Sequence, residues 1–236
     1  MLSPGQALLC VGSVRQLGSE SSPDQAWMTP GETNRAASMK SLKRRSQFIA
    51  GHWFARRLAG EFFGADGGEW KIAVSASGQP ILVPPGGGDG SIHLSISHSD
   101  DLVAVALARF PIGVDVETRT RNRDFIGLAA HMLSDGEQRV VTGVEGSARA
   151  SAFYRFWTLR EAQCKREGQG LSAKWARRWS VESAAETCAE ALHWQWAGMS
   201  LAIAGCAPLQ VQTHGIPATG EPSRWVFKQA SQRGDQ

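Results

Sequence analysis

Apolar residues recur at helical spacing between Arg35 and Phe63, at Phe48, Ile49, Trp53, Phe54 and Leu58. That spacing predicts a helix whose front end carries Lys40, Lys43, Arg44 and Arg45. Ile92 to Ser97 alternates as a strand, Asp100-Asp101 marks a turn, and Leu102 to Ala108 is a short apolar run that suits a buried strand. Pro111 opens a third short run, I-G-V-D-V-E, so three strands with tight connections predict an antiparallel meander. Phe125 to Val141 reads as helix, with Ser134 to Glu137 as a turn or a new cap inside it. Ala148 to Glu167 is a stronger helix, stopped by Gly168 and Gly170. Trp179 to Val181, Leu192 to Trp196 and Leu201 to Ile203 read as further strands. Three breaker-rich stretches separate these elements. Gly18 to Asn34 is polar with two prolines and reads as a loop, and Pro84 to Gly90 reads as a turn. After Gly215 the chain is polar and is expected to fray. The pattern is a mixed α+β chain with helices and antiparallel strands in each half.

Composition narrows the class. A length of 236 residues allows one domain or two small ones, and 42% hydrophobic with 20% charged residues argues for a packed globular chain over a disordered one. No run approaches the roughly 18 apolar residues of a membrane span. Met1 to Gly12 has no Lys or Arg ahead of its apolar patch, so it makes a poor signal peptide. A net charge of +3 is too mild to imply nucleic acid. Cys10, Cys164, Cys188 and Cys206 lie far apart with no metal-ligand spacing, and a reduced, cytoplasmic setting is the simplest expectation.

Asp115 and Glu117 stand two apart in an otherwise apolar strand, so both carboxylates project from one face while Val114 and Val116 project from the other. Two neighbouring carboxylates repel unless something positive lies between them. A hard cation such as Mg²⁺ answers that need, and so does a solvated face beside Arg or Lys. Glu161 follows Phe153 and Trp157 at steps of four along the long helix, with Lys165 four further on. That stripe is either a surface ion pair or part of a site. Ser97-His98 ends a strand close to the Asp115/Glu117 strand, which makes one shared site an open alternative to turn chemistry.

These residues resemble a known family. G-V-D-V-E (Gly113 to Glu117), then F-W-T-L-R-E-A-Q-C-K (Phe156 to Lys165), looks like the paired signature of the 4′-phosphopantetheinyl transferase superfamily. Glu161 lies 46 residues beyond Asp115, a separation that suits that family. S-I-S-H-S (Ser95 to Ser99), S-G-Q-P (Ser77 to Pro80) and the basic stretch K-R-R-S-Q-F-I-A-G-H (Lys43 to His52) resemble three further family elements. The five occur in the family's order over roughly residues 40 to 171. The length resembles the larger, Sfp-type branch, with two similar α+β halves in one chain. By that resemblance residues 1–110 form an N-terminal half, 111–215 a C-terminal half, and 216–236 a polar tail.

The resemblance implies transfer of the phosphopantetheine arm of coenzyme A to a serine of an acyl or peptidyl carrier protein, releasing adenosine 3′,5′-bisphosphate. Carried over by position, Asp115, Glu117 and Glu161 would hold Mg²⁺, and Glu161 and Lys165 would be catalytic, Glu161 as the base. Arg44, Arg45, Ser97, His98, Arg160 and Lys165 would bind coenzyme A. Arg160 and Gln79 stand where the family has Lys, or Lys and Arg, and His52 stands where Arg is common. Arg119, Arg121 and Arg123 would meet the acidic helix of a carrier protein or else lie on a solvated loop, and Phe125, Ile126 and Met132 would be interface or core. A monomer without nucleic acid or membrane partners is expected. A noncatalytic relative that only binds coenzyme A or a carrier protein, and an unrelated metal-dependent phosphohydrolase, are the competing readings.

Overall fold

The computed structural model describes residues 5–21, 25–76, 78–87, 90–119, 123–169, 178–196, 198–215 and 220–229. Ser77, Arg121 and Gly170, singled out above, lie outside those residues. Among them the chain runs β1 (Gln6–Ser13), α1 (Val14–Glu20), α2 (Pro30–Ser38), α3 (Leu42–Phe63), β2 (Lys71–Val74), β3 (Pro80–Val83), β4 (Ile92–Ser99), β5 (Leu102–Ala108) and β6 (Gly113–Thr118). It continues with α4 (Phe125–Met132), α5 (Asp135–Thr142), α6 (Gly146–Arg166), β7 (Trp179–Ser183), β8 (Ala191–Trp196), β9 (Met199–Ala204), β10 (Gln210–His214) and β11 (Ser223–Gln229). The strands form one six-stranded sheet, β10-β1-β5-β4-β3-β2, and one five-stranded sheet, β6-β9-β8-β11-β7.

The layers follow from alternation along the strands. On one face of the first sheet Leu8, Cys10, Leu94, Val103, Val105 and Leu107 pack against Ala50, Phe54 and Leu58 of α3. On its other face Leu9, Ala104 and Ala106 meet Val114, Val116, Leu201 and Ile203 of the second sheet. The far face of that second sheet carries Ala202, Ala204, Trp225 and Phe227 under Phe153, Phe156 and Leu159 of α6. The order is helix, sheet, sheet, helix, an α+β fold in which one long helix packs against each sheet.

Four expectations change. The stretch Gly18 to Asn34 is not one loop. Thr29 caps α2 with a reciprocal capping box to Glu32, and Pro30 sits in its first turn. The helix expected from Arg35 to Phe63 is two helices, because Ser41 starts α3 afresh by accepting from the Arg44 N–H. The meander ends at β5. β6 crosses to the second sheet and pairs with β9. Finally, Ser223–Gln229 is not frayed tail but strand β11 between β8 and β7, and β10 pairs parallel with β1, so the first sheet is mixed.

Candidate functional site

The two sheets meet along a seam of serine hydroxyls. β6 is an edge strand, so the N–H groups of Val114, Val116 and Thr118 on its free side have no ladder partner. Ser95, Ser97 and Ser99, alternating along β4, accept from them at 3.0, 3.2 and 3.0 Å. This is why the S-I-S-H-S pattern has serine at every second position. Ser97 also donates to Asp115 Oδ1 at 2.8 Å, and Ser99 donates to Glu117 Oε2 at 3.0 Å. The seam therefore fixes both carboxylates.

α6 supplies the rest. Gly113 lies so close to it that a Cβ there would stand 1.9 Å from the Ala162 carbonyl oxygen, and only glycine permits that approach. The approach puts the Glu161–Lys165 stripe over the carboxylate face of β6. Lys165 Nζ donates to Val114 O at 2.9 Å and pairs with Asp115 Oδ1 at 2.8 Å. Asp115 is 6% exposed, and its Oδ2 is buried with no hydrogen-bond partner.

Electrostatics ties the group together. Burial, then Asp115, raises the Glu117 pKa, against the pull of Ser99, Arg123 and Lys165. Burial, then Asp115, pushes Glu161 up to about 7, with Lys165 opposing and Glu117 reinforcing. Asp115 makes both Glu117 and Glu161 costlier to ionise, and its own bare buried carboxylate oxygen lies among them. Among the described residues their oxygens do not converge into a finished ligand set. The donor chemistry, all oxygen and all acidic, fits a hard divalent cation.

A groove leads to this cluster along β4. A cavity of about 350 Å³ is lined by Arg44, Gln47, His98, Glu117 and Arg123. It adjoins one of about 530 Å³ that shares Gln47 and His98 and adds Arg35, Phe48 and His52. A third, of about 320 Å³, is walled by Gln79, Ile96, Lys165 and Gly168. Partial burial, Lys165 and Arg44 all hold the His98 pKa below its usual value, with Asp115 opposing.

The structure thus gathers Asp115, Glu117, Glu161, Lys165, His98 and Arg44, and it leaves three residues expected to bind coenzyme A off the lining of these cavities. Arg45 lines none of these cavities. Ser97 faces the seam, 6% exposed, with its hydroxyl proton already on Asp115. Arg160 is 1% exposed and reaches Glu137 of α5 and the Trp179 carbonyl. Successive helix residues point about 100° apart, so Arg160 and Glu161 cannot both face β6. Gln79 donates to backbone carbonyls of α6. Ser99 enters the sequence reasoning only within its motif, and Arg123, expected at a carrier-protein surface or on a solvated loop, borders the cavity. The alternating serines were the signal for Ser99.

The sequence model described as the 4′-phosphopantetheinyl transferase superfamily matches residues 111–206, the stretch that runs from β6 past β9. The chain is 28% identical over 149 residues to the 4′-phosphopantetheinyl transferase HetI of Nostoc sp., covering 62% of each chain. It is 32% identical over 83 residues to the transferase gsp of Aneurinibacillus migulanus, covering 35% of this chain and 34% of that one. It is 28% identical over 157 residues to AcpT of Escherichia coli O157:H7, covering 66% of this chain and 73% of that one. The match thus spans less than two thirds of the length of HetI and of gsp. The carboxylates of β6, the Glu161–Lys165 stripe of α6 and the matched span together make this chain similar to the 4′-phosphopantetheinyl transferase superfamily.

Proposed function

We propose that this chain, as an Sfp-type member, moves the phosphopantetheine arm of coenzyme A to a serine of an acyl or peptidyl carrier protein. The observation that carries the reading is Asp115. Ser97 and Lys165 hold its Oδ1, while Oδ2 stays bare and buried beside Glu117 and Glu161 at the end of the groove. Asp115, Glu117 and Glu161 would hold Mg²⁺, which supplies positive charge to the pyrophosphate oxygens when bound.

The other roles belong to the chain. Arg44 and His98 line the groove where the nucleotide end of coenzyme A would lie. Lys165 stands beside Asp115 to meet the charge that grows on phosphate oxygens. The carrier serine oxygen bonds to the phosphorus that bears pantetheine. The bond from that phosphorus to the adenosine bisphosphate oxygen breaks. Glu161 takes the serine proton, directly or through a water. Arg123 borders the cavity, and Ile126 on α4 is 46% exposed, so both can meet a carrier protein, whereas Phe125 and Met132 pack into the core. Cationic groups there would act mainly on encounter with an acidic helix. A monomer in the cytoplasm completes the reading.

Nucleotide chromatography tests it. Purified protein, coenzyme A, Mg²⁺ and an apo carrier protein should release adenosine 3′,5′-bisphosphate, and a carrier whose acceptor serine is changed to alanine should release none. Release without any carrier would mean hydrolysis and overturn the proposal.

A further inference from the structure

We propose that Gln79 is a positioning residue that fastens the end of α6 and thereby holds Lys165 in place; the role in catalysis rests on the transferase reading above. Helix ends leave carbonyls without intrahelical donors. At the end of α6 the chain turns through Gly168 at φ 68°, with Gln169 N–H donating to Cys164 O at 2.9 Å and Gly168 N–H to Lys165 O at 3.2 Å. That is the Schellman arrangement, and it supplies no donor to Arg166 O. The Gln79 side-chain amide does so. Its Nε2 donates to Arg166 O and, at 3.1 Å, to Lys165 O.

Gln79 is itself anchored. It is 5% exposed in the turn between β2 and β3, where its N–H donates to Ser75 Oγ at 3.1 Å and its carbonyl accepts from Ser75 N–H at 2.8 Å. One continuous path therefore runs from the first sheet, through Gln79, to the last turn of α6, and from Lys165 Nζ to Asp115. The resemblance leads one to expect a cation here that touches phosphate. This side chain carries no charge, and its donor is spent on helix carbonyls. It acts on the reaction through the register of Lys165.

The test compares wild type, Gln79→Ala, Gln79→Glu, Lys165→Met and the Gln79→Ala/Lys165→Met double variant. Small displacements of a positioned group slow reactions steeply, so Gln79→Ala should lower kcat about tenfold with KM for coenzyme A moved less than about twofold. Gln79→Glu keeps the shape, loses the donor and sets a negative charge against the helix end, so it should fall at least as far. The double variant should be no slower than Lys165→Met, because Gln79 acts through that lysine. Backbone hydrogen exchange over residues 163–169 should quicken in Gln79→Ala. A raised KM with unchanged kcat would mean a lost ligand and overturn the proposal, as would full multiplication of the two defects. Wild-type protein that transfers nothing would overturn the transferase reading. Exchange then decides the clamp alone, with faster exchange supporting it and unchanged exchange overturning it.

Discussion

Replacing Glu161 by Gln should stabilise this protein when no divalent cation is supplied, and only at neutral or alkaline pH. The carboxyl pKa is raised from 4.5 to about 7, by burial first and by Asp115 and Glu117 besides. Between those values the folded protein keeps a proton that the unfolded chain has released. Stability therefore falls as pH rises from about 4.5 to about 7 and levels off above. The gap is worth about 3 kcal/mol at about 1.4 kcal/mol per unit, and partial solvent screening reduces it to about 2 kcal/mol. For a chain of this size that moves Tm by about 4–8 °C. Thermal melts in chelator should show Glu161→Gln above its parent by that margin at pH 8 and level with it at pH 4. Adding Mg²⁺ at pH 8 should raise the parent toward the variant and leave the variant nearly unmoved. A variant that melts at or below its parent at pH 8, or gains equally at both pH values, would refute the carboxylate-repulsion argument.

Arg160→Met strands the buried Glu137, so it should cost about 3 kcal/mol in denaturant melts while leaving KM for coenzyme A within about twofold. A raised KM at full stability would return Arg160 to the ligand site. Glu32→Gln removes the charge facing Arg56, which is fully buried, and should cost about 3 kcal/mol as well. Burial raises the Glu32 pKa, but hydrogen bonds from His52, Arg56 and Thr29 outweigh it and bring the value to about 2. The Glu32 contribution is therefore full above about pH 4.5 and lost as pH falls through about 2, and acid melts of the two proteins should converge there. Arg44→Ala should raise KM for coenzyme A about tenfold and Arg45→Ala hardly at all, because only Arg44 lines the groove. Equal effects would contradict that placement.

The site was more legible in the sequence than the sheets were. The shared faces of Asp115 with Glu117 and of Glu161 with Lys165 follow from two periodicities, two in a strand and about four in a helix; the resemblance joined them into one site, and the fold superposes the two faces. Arg160 shows the limit. Retained charge says nothing about direction, and its place on α6 turns it toward Glu137. β6 reads locally as the third strand of a hairpin series, yet it is the edge of another sheet. Its partner β9 is remote in sequence, and the serines of β4 satisfy its outer amides. β11 was missed because Arg224, Lys228 and Gln229 make the segment polar, although Trp225 and Phe227 alternate inward on one face. β10 is mostly exposed, and nothing local marks its parallel pairing with β1.

Intact-protein mass spectrometry tests the central claim most directly. An apo carrier protein incubated with this protein, coenzyme A and Mg²⁺ should gain one phosphopantetheine, about 340 Da. The gain should vanish with chelator and with Asp115→Ala, a variant whose melt stays cooperative. A carrier that never gains this mass across a panel, or gains it undiminished with Asp115→Ala, would contradict the account.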